Sequence, residues 1–149
     1  MITVDYEIGI ERPPAAVFDF VTEVERFADW QRDAGVVGVR RQGSGPIAPG
    51  SRFVIERRGR GGRIERIECA VTALQPPRRF TFEGRDSEGF SSTFDTILGP
   101  VPDGTRLHWT VRMTPPNLLM RLMQPWIRRE ITRSAAVDFA NLKSRLEAT

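Results

Sequence analysis

Cysteine, histidine and lysine are nearly missing from this chain: Cys69, His108 and Lys143 are the only residues of their kinds among 149. One cysteine excludes an internal disulfide, and one histidine leaves no zinc or iron constellation to assemble from nitrogen and sulfur ligands. No metal or cofactor is expected, and a reducing cytoplasm is the expected compartment. Long apolar runs are missing as well, since nothing approaches the roughly 18 consecutive apolar residues of a membrane span. The opening MITVDYEIGIERPP carries acids and polar alternation where a secretory signal needs a basic start and an apolar stretch. Neither G-x-S-x-G, H-E-x-x-H nor a phosphate loop occurs, and Lys143 near the C-terminus is poorly placed for a Schiff base. No catalytic motif is legible, so catalysis stays open.

What the chain has in quantity is arginine and aromatic residues. Nine phenylalanines and three tryptophans in a sequence that is 40% hydrophobic are the composition of a folded globule with an aromatic interior. The length fits a single domain over residues 1–149, large enough to bury most of its unfolded apolar surface. The 22 basic residues, all but one arginine, exceed the 19 acids by only three, too few to imply a nucleic-acid partner. Arginine in place of lysine points to a GC-rich, bacterial genome.

Arginine and glycine meet in ERRGRGGRIERI, residues 56–67, which holds five arginines and three glycines. The flanks decide its meaning: SRFVIERR before and RIERIECAVTAL after alternate apolar with charged residues, so the glycines mark a hairpin turn rather than an RNA-gripping tract. Upstream, Val4, Tyr6, Ile8 and Ile10 alternate with polar residues as a half-buried strand does. Pro13 and Pro14 end that strand, and AAVFDFVTEVERFADWQ follows as two short helices broken near Thr22. From Gly35 onward, runs of about ten residues separated by glycine and proline predict six antiparallel strands. The last segment, from Pro115, repeats apolar residues at helical spacing through Leu146 and predicts one long amphipathic helix, kinked at Pro125.

The segments IERPPAAVFDFVTEVERFADW, PPRRFTFEG and GTRLHWTV, with the long closing helix, resemble the START and Bet v 1-like (SRPBCC) superfamily over nearly the whole chain. The resemblance implies an α+β helix-grip fold: a strongly curved seven-stranded antiparallel sheet wrapped around the C-terminal helix, with two short helices between strands 1 and 2. It implies a cavity between sheet and helix. On that footing, alternation turns Phe53, Ile55, Cys69, Val71, Phe80, Phe82, Ser92, Phe94, Thr96, Leu107, Trp109, Val111 and Met113 inward as ligand-binding residues. Leu119, Leu122, Met123 and Trp126 would close over them. The competing account is that the same residues fill a core with no void.

Ser92, Thr96 and Thr72 are the polar candidates for holding a ligand's carbonyl or hydroxyl, though each is also an ordinary strand residue. Trp30 reads as packing under the sheet, and His108 falls on the solvent side of its strand. Cys69, among apolar neighbours with no histidine near it in sequence, behaves as a small hydrophobe. Arg57, Arg66, Glu56, Glu65 and Glu68 read as solvated cross-strand ion pairs.

Three functions fit. One is a carrier or sensor of a lipid, quinone or aromatic polyketide-like molecule. Another is a polyketide cyclase or dehydratase, which needs a charge such as Arg57 turned inward. The third is a membrane-surface lipid-handling or protein-interaction module, because LLMRLMQPWIRR (118–129) mixes leucine, methionine and tryptophan with arginine as an interfacial helix does, giving transient membrane contact. Ligand identity and oligomeric state are not legible.

Overall fold

The computed structural model describes residues 1–148, with Arg60 described by its backbone alone. Strand β1 (Ile2–Ile10) leads into helix α1 (Pro14–Val21), where Pro14 occupies the first helical turn and so removes no helical hydrogen bond. A 3₁₀ turn (Val24–Arg26) and the single-turn helix α2 (Phe27–Trp30) follow. Six further strands run β2 (Val36–Gln42), β3 (Arg52–Arg58), β4 (Ile64–Gln75), β5 (Arg79–Asp86), β6 (Ser91–Val101) and β7 (Gly104–Thr114). The chain closes with helices α3 (Leu118–Leu122) and α4 (Gln124–Glu147).

All seven strands form one antiparallel sheet in the order β1-β7-β6-β5-β4-β3-β2, so consecutive strands from β2 onward are hairpin neighbours and β1 closes against the last. The arginine-glycine run is the turn between β3 and β4, where Gly61 and Gly62 take φ of 72° and 77°, a left-handed region that costs glycine little. The closing helix is not continuous. Asn117 accepts from the Met120 N–H and caps α3, the chain breaks at Met123, and Pro125 sits in the first turn of α4 rather than inside a longer helix. The proline therefore starts the second helix instead of kinking a single one.

Helix α4 lies across β1. Tyr6 and Phe139 stack at 5.6 Å, and Ile127 and Ile131 pack with Ile2, Val4 and Val111. Its far end is fastened by polar contacts: Lys143 Nζ donates to the Gly9 carbonyl (2.7 Å), the Glu11 N–H donates to Glu147 (2.8 Å), and Arg12 donates to the Leu146 carbonyl (2.8 Å). Because these fixings concentrate on β1, much of the concave face of β3–β6 is covered by side chains rather than by the helix. No helix among the described residues is long and apolar enough to cross a membrane.

Candidate functional site

Strand register places the concave side chains in rows. One row runs Val4, Val111, Phe94, Phe82, Val71 across β1, β7, β6, β5 and β4; the next runs Ile2, Met113, Ser92, Gly84, Cys69, Phe53, ending on β3. A third holds Tyr6, Trp109, Thr96, Phe80 and Leu74. All thirteen strand positions anticipated as inward, including Ile55 and Leu107, share this face, since side chains alternate with period two.

The interior is tiled with rings. Phe82 stacks on Phe94 at 4.8 Å and on Phe27 at 6.0 Å, and meets Phe53 edge-on at 5.2 Å and Phe80 at 5.4 Å. Phe139 of α4 contacts both Trp30 and Trp109 at 5.4 Å. Gly84 contributes no side chain to the tiling, and its neighbours fill the place. A methyl group built there would lie 2.9 Å from Ile67 Cγ2, 3.4 Å from Cys69 Sγ and 3.5 Å from a Phe94 ring carbon, so those three side chains lean together over the glycine. Burial also varies along the face: Phe53, Phe80, Leu98 and Leu107 are fully buried, whereas Ile67, Ser92, Phe94, Trp109 and Met113 keep partial exposure. Ser92 and Met113 belong to the row nearest α3, while Tyr6, Thr96 and Leu74, in the row of Trp109, are half-buried too.

Helix α3 does not close over the inward set as anticipated. Leu119, Leu122 and Trp126 are exposed and only Met123 is half-buried, because the break at Met123 lets α3 project from the sheet instead of continuing the line of α4. Two hollows mark the surface elsewhere. One of about 300 Å³ lies between Glu25, Arg41, Ile47 and Leu74, and the other, about 380 Å³, between Asp29, Arg32, Asn141 and Arg145.

Polar groups on the interior-lining elements are few. Trp30 is 4% exposed, yet its Nε1 finds no hydrogen-bond partner in the protein, and neither does the buried hydroxyl of Ser134 on α4. Such orphans are uncommon, because an unpaired buried donor costs about 1–3 kcal/mol. One turn beyond Ser134, the buried Asp138 carboxylate accepts from the Asp33 N–H (2.9 Å) and the Ala34 N–H (3.1 Å), tying the loop after Trp30 to α4. Burial pushes its pKa up to about 6; the two backbone donors and Arg133 oppose that rise and Asp33 adds to it.

Period two also carries Arg57 and Glu65, which face each other in the β3–β4 register, onto the concave side, next in line after Ile55 and Ile67. Arg57 Nε donates to the Ala34 carbonyl (2.8 Å), and its Nη1 lies 3.6 Å from Glu65. The Glu65 side chain is only 15% exposed, so this is not the solvated pair expected from charge alternation. Burial raises its pKa; Arg57 works against that, while Glu88 and Asp86 reinforce it. The parity of Glu65 with Ile67, Cys69 and Val71 was the available signal. Thr72 is corrected the other way: next in sequence to inward Val71, it is exposed on the outer side and donates to the Thr81 carbonyl, and the bulge between Val71 and Ala73 then brings Leu74 to the inner face.

The remaining candidates have settled roles. His108 lies on the convex face, with Nε2 3.0 Å from Asp5, whose pKa is lowered first by the Thr110 hydroxyl and then by His108. Burial pushes the Cys69 thiol up to about 12, which keeps it protonated and poorly nucleophilic.

A helix-grip sheet with an apolar, ring-lined interior defines the START-like class of α+β proteins. Within it, the sequence profile of the family described as polyketide cyclase / dehydrase and lipid transport matches residues 1–147, and the chain belongs to that family. A START superfamily protein from Mycobacterium smegmatis superposes with a TM-score of 0.79 at 13% identity, covering 99% of each chain. TTHA0849 from Thermus thermophilus gives 0.78 at 16% identity, over 98% of this chain and 97% of that one. Protein MLL2253 from Mesorhizobium loti gives 0.75 at 20% identity, over 99% and 98%. At such identities the likeness is one of fold. No curated protein matches the chain.

Proposed function

We propose that this protein binds a ring-containing apolar small molecule between the curved sheet and α4, as a carrier or sensor. The observation that carries the reading is an aromatic concave face whose inward-facing Ile67, Phe94, Trp109 and Met113 keep partial exposure beside fully buried Phe53 and Leu107. Apolar surface left accessible in a concave face is stabilised by a ligand that covers it, at about 25 cal/mol per Å². Depth comes from Gly84: when Ile67 and Phe94 swing off it, a flat molecule can lie over the glycine between Cys69 and Ser92. An indole N–H only donates, so Trp30 favours a ligand carrying an acceptor such as a carbonyl, with the Ser92 and Thr96 hydroxyls as further partners.

A thermal-shift screen against quinones, aromatic polyketides, sterols and fatty acids tests this. A binder at 100 times its Kd stabilises the fold by about 2.7 kcal/mol, a rise of about 5–11 °C. Ser92→Phe, at the half-buried rim, should fold normally and abolish that shift by filling the space. A screen flat for every soluble class, or a shift that survives both Ser92→Phe and Phe94→Asp in folded protein, counts against the interior as the site.

The Arg57–Glu65 pair supports a second reading, cyclase or dehydratase chemistry. A shielded carboxyl with raised proton affinity beside a guanidinium can exchange a proton with a poly-ketone while the arginine polarises its carbonyl. Turnover of a bound poly-ketone should then fall at least 100-fold in Glu65→Gln while binding is kept. Unchanged turnover, or none in the native protein, removes this reading.

A further inference from the structure

We propose that α3 and the first turns of α4 are a docking surface for an anionic lipid bilayer. Leu118, Leu119 and Leu122 are 61–72% exposed on α3, at the three- and four-residue spacings that bring helical side chains together, and Trp126, 44% exposed, follows in the first turn of α4. Four large apolar side chains in nine positions across the α3–α4 junction form a patch of the kind that marks an interaction site. Its charge is of one sign. No acid occurs between Asp103 and Glu130, and Arg121, Arg128 and Arg129 are exposed. Among the described residues none of those three guanidiniums is ion-paired, whereas the next arginine, Arg133, is held by Asp33 and Glu130.

Leucine and tryptophan interleaved with unpaired arginine suit the boundary between acyl chains and phosphate headgroups, where the apolar groups insert and the guanidiniums meet anions. A second copy of the chain fits poorly, because a two-fold contact through this face would oppose like charges. The surface also adjoins the Met113 end of the interior, since α3 follows that end of β7, and Ile127 of α4 and Met113 pack against the same buried residues, Ile2, Val4 and Val111. An apolar ligand could pass between bilayer and interior with little exposure to water. That last consequence rests on the ligand-binding reading, and the docking does not.

Vesicle co-sedimentation separates the outcomes, using pure phosphatidylcholine against phosphatidylcholine containing one third phosphatidylglycerol, at low and high salt. The native protein should sediment with the anionic vesicles at low salt and stay in solution with the zwitterionic ones. Each arginine brought to an anionic surface contributes about fivefold to partitioning, so Arg121→Gln with Arg128→Gln should weaken binding about 25-fold. Leu119→Asp with Leu122→Asp should abolish it, and as all four positions are exposed, melting temperatures should stay near native. Ligand-induced thermal shifts of the double-aspartate variant should also be unchanged, which separates failure of docking from failure of the interior site. The proposal is overturned if the native protein ignores anionic vesicles, if either pair of substitutions leaves binding intact, or if the face instead holds a dimer that Leu122→Asp dissociates.

Discussion

Phe82→Ala should destabilise the protein by about 3–5 kcal/mol, lowering the melting temperature by about 6–20 °C. Phe82 is buried at the centre of the ring network, within 6.0 Å centroid distance of Phe27, Phe53, Phe80 and Phe94, on three strands and the α2 helix. Removing the ring forfeits its transfer free energy and leaves a cavity whose walls are fixed by backbone register and cannot collapse far. Chemical denaturation measures the loss directly. A cost under about 1 kcal/mol would mean that the neighbouring rings re-tile the space, and that the interior is plastic enough to admit a ligand without help from Gly84. Leu119→Ala, exposed on α3, is the control and should change stability by less than about 0.5 kcal/mol.

The second large effect is a dependence on pH set by Asp138. Its folded-state pKa, about 6, lies above the ordinary 3.8, so the native protein takes up this proton before the unfolded chain does. Below about pH 4 the carboxyl is protonated in both states and its contribution to stability is fully present. Between about pH 4 and pH 6 the unfolded chain ionises while the native one still resists, so stability is lost as pH rises, up to about 3 kcal/mol at neutrality. Other carboxylates titrate in the same window, and comparison with Asp138→Asn isolates the effect. The stability of the native protein relative to that variant should fall between pH 4 and pH 7, and a flat or rising difference would contradict the burial argument. Because the carboxylate holds the Asp33 and Ala34 N–H groups, the same protonation should loosen the loop following Trp30, visible as lower protection of those two amides at low pH relative to their intrinsic exchange rates at the same pH.

Much of the architecture was legible because the elements obey local rules. Period-two alternation in SRFVIERR, TRLHWTVRMT and their neighbours leaves one arrangement of faces for an antiparallel meander, and glycine and proline mark where each strand must turn. The inward set followed from the same parity. Carried two residues further, it would also have placed Arg57 and Glu65 inside, but charge invited a surface reading of a position that strand geometry had already assigned.

The end of the chain was less legible. A helical repeat from Leu119 to Leu146 is continuous in sequence, and nothing local tells a stripe that faces a core from one that faces away. The break at Met123 decides it, leaving Ala135, Phe139 and Leu142 of α4 buried and the three α3 leucines in solvent. Thr72 lies outside by the same alternation that turns Val71 in; what the sequence hid is the single-residue bulge after it, which brings Leu74 rather than Ala73 to the inner face and depends on the partner strand.

The meander of strands, the turn positions and the aromatic character of the interior were readable from the chain, being consequences of local periodicity and composition, and the family was readable from the resemblance carried by IERPPAAVFDFVTEVERFADW, PPRRFTFEG and GTRLHWTV. Three further properties were not. The rings close on one another around Gly84, Trp30 Nε1 and the Ser134 hydroxyl are stranded without partners, and Glu65 and Asp138 are shielded from water. Each depends on which distant segments meet, and burial, desolvation and hydrogen-bond satisfaction exist only once they have met.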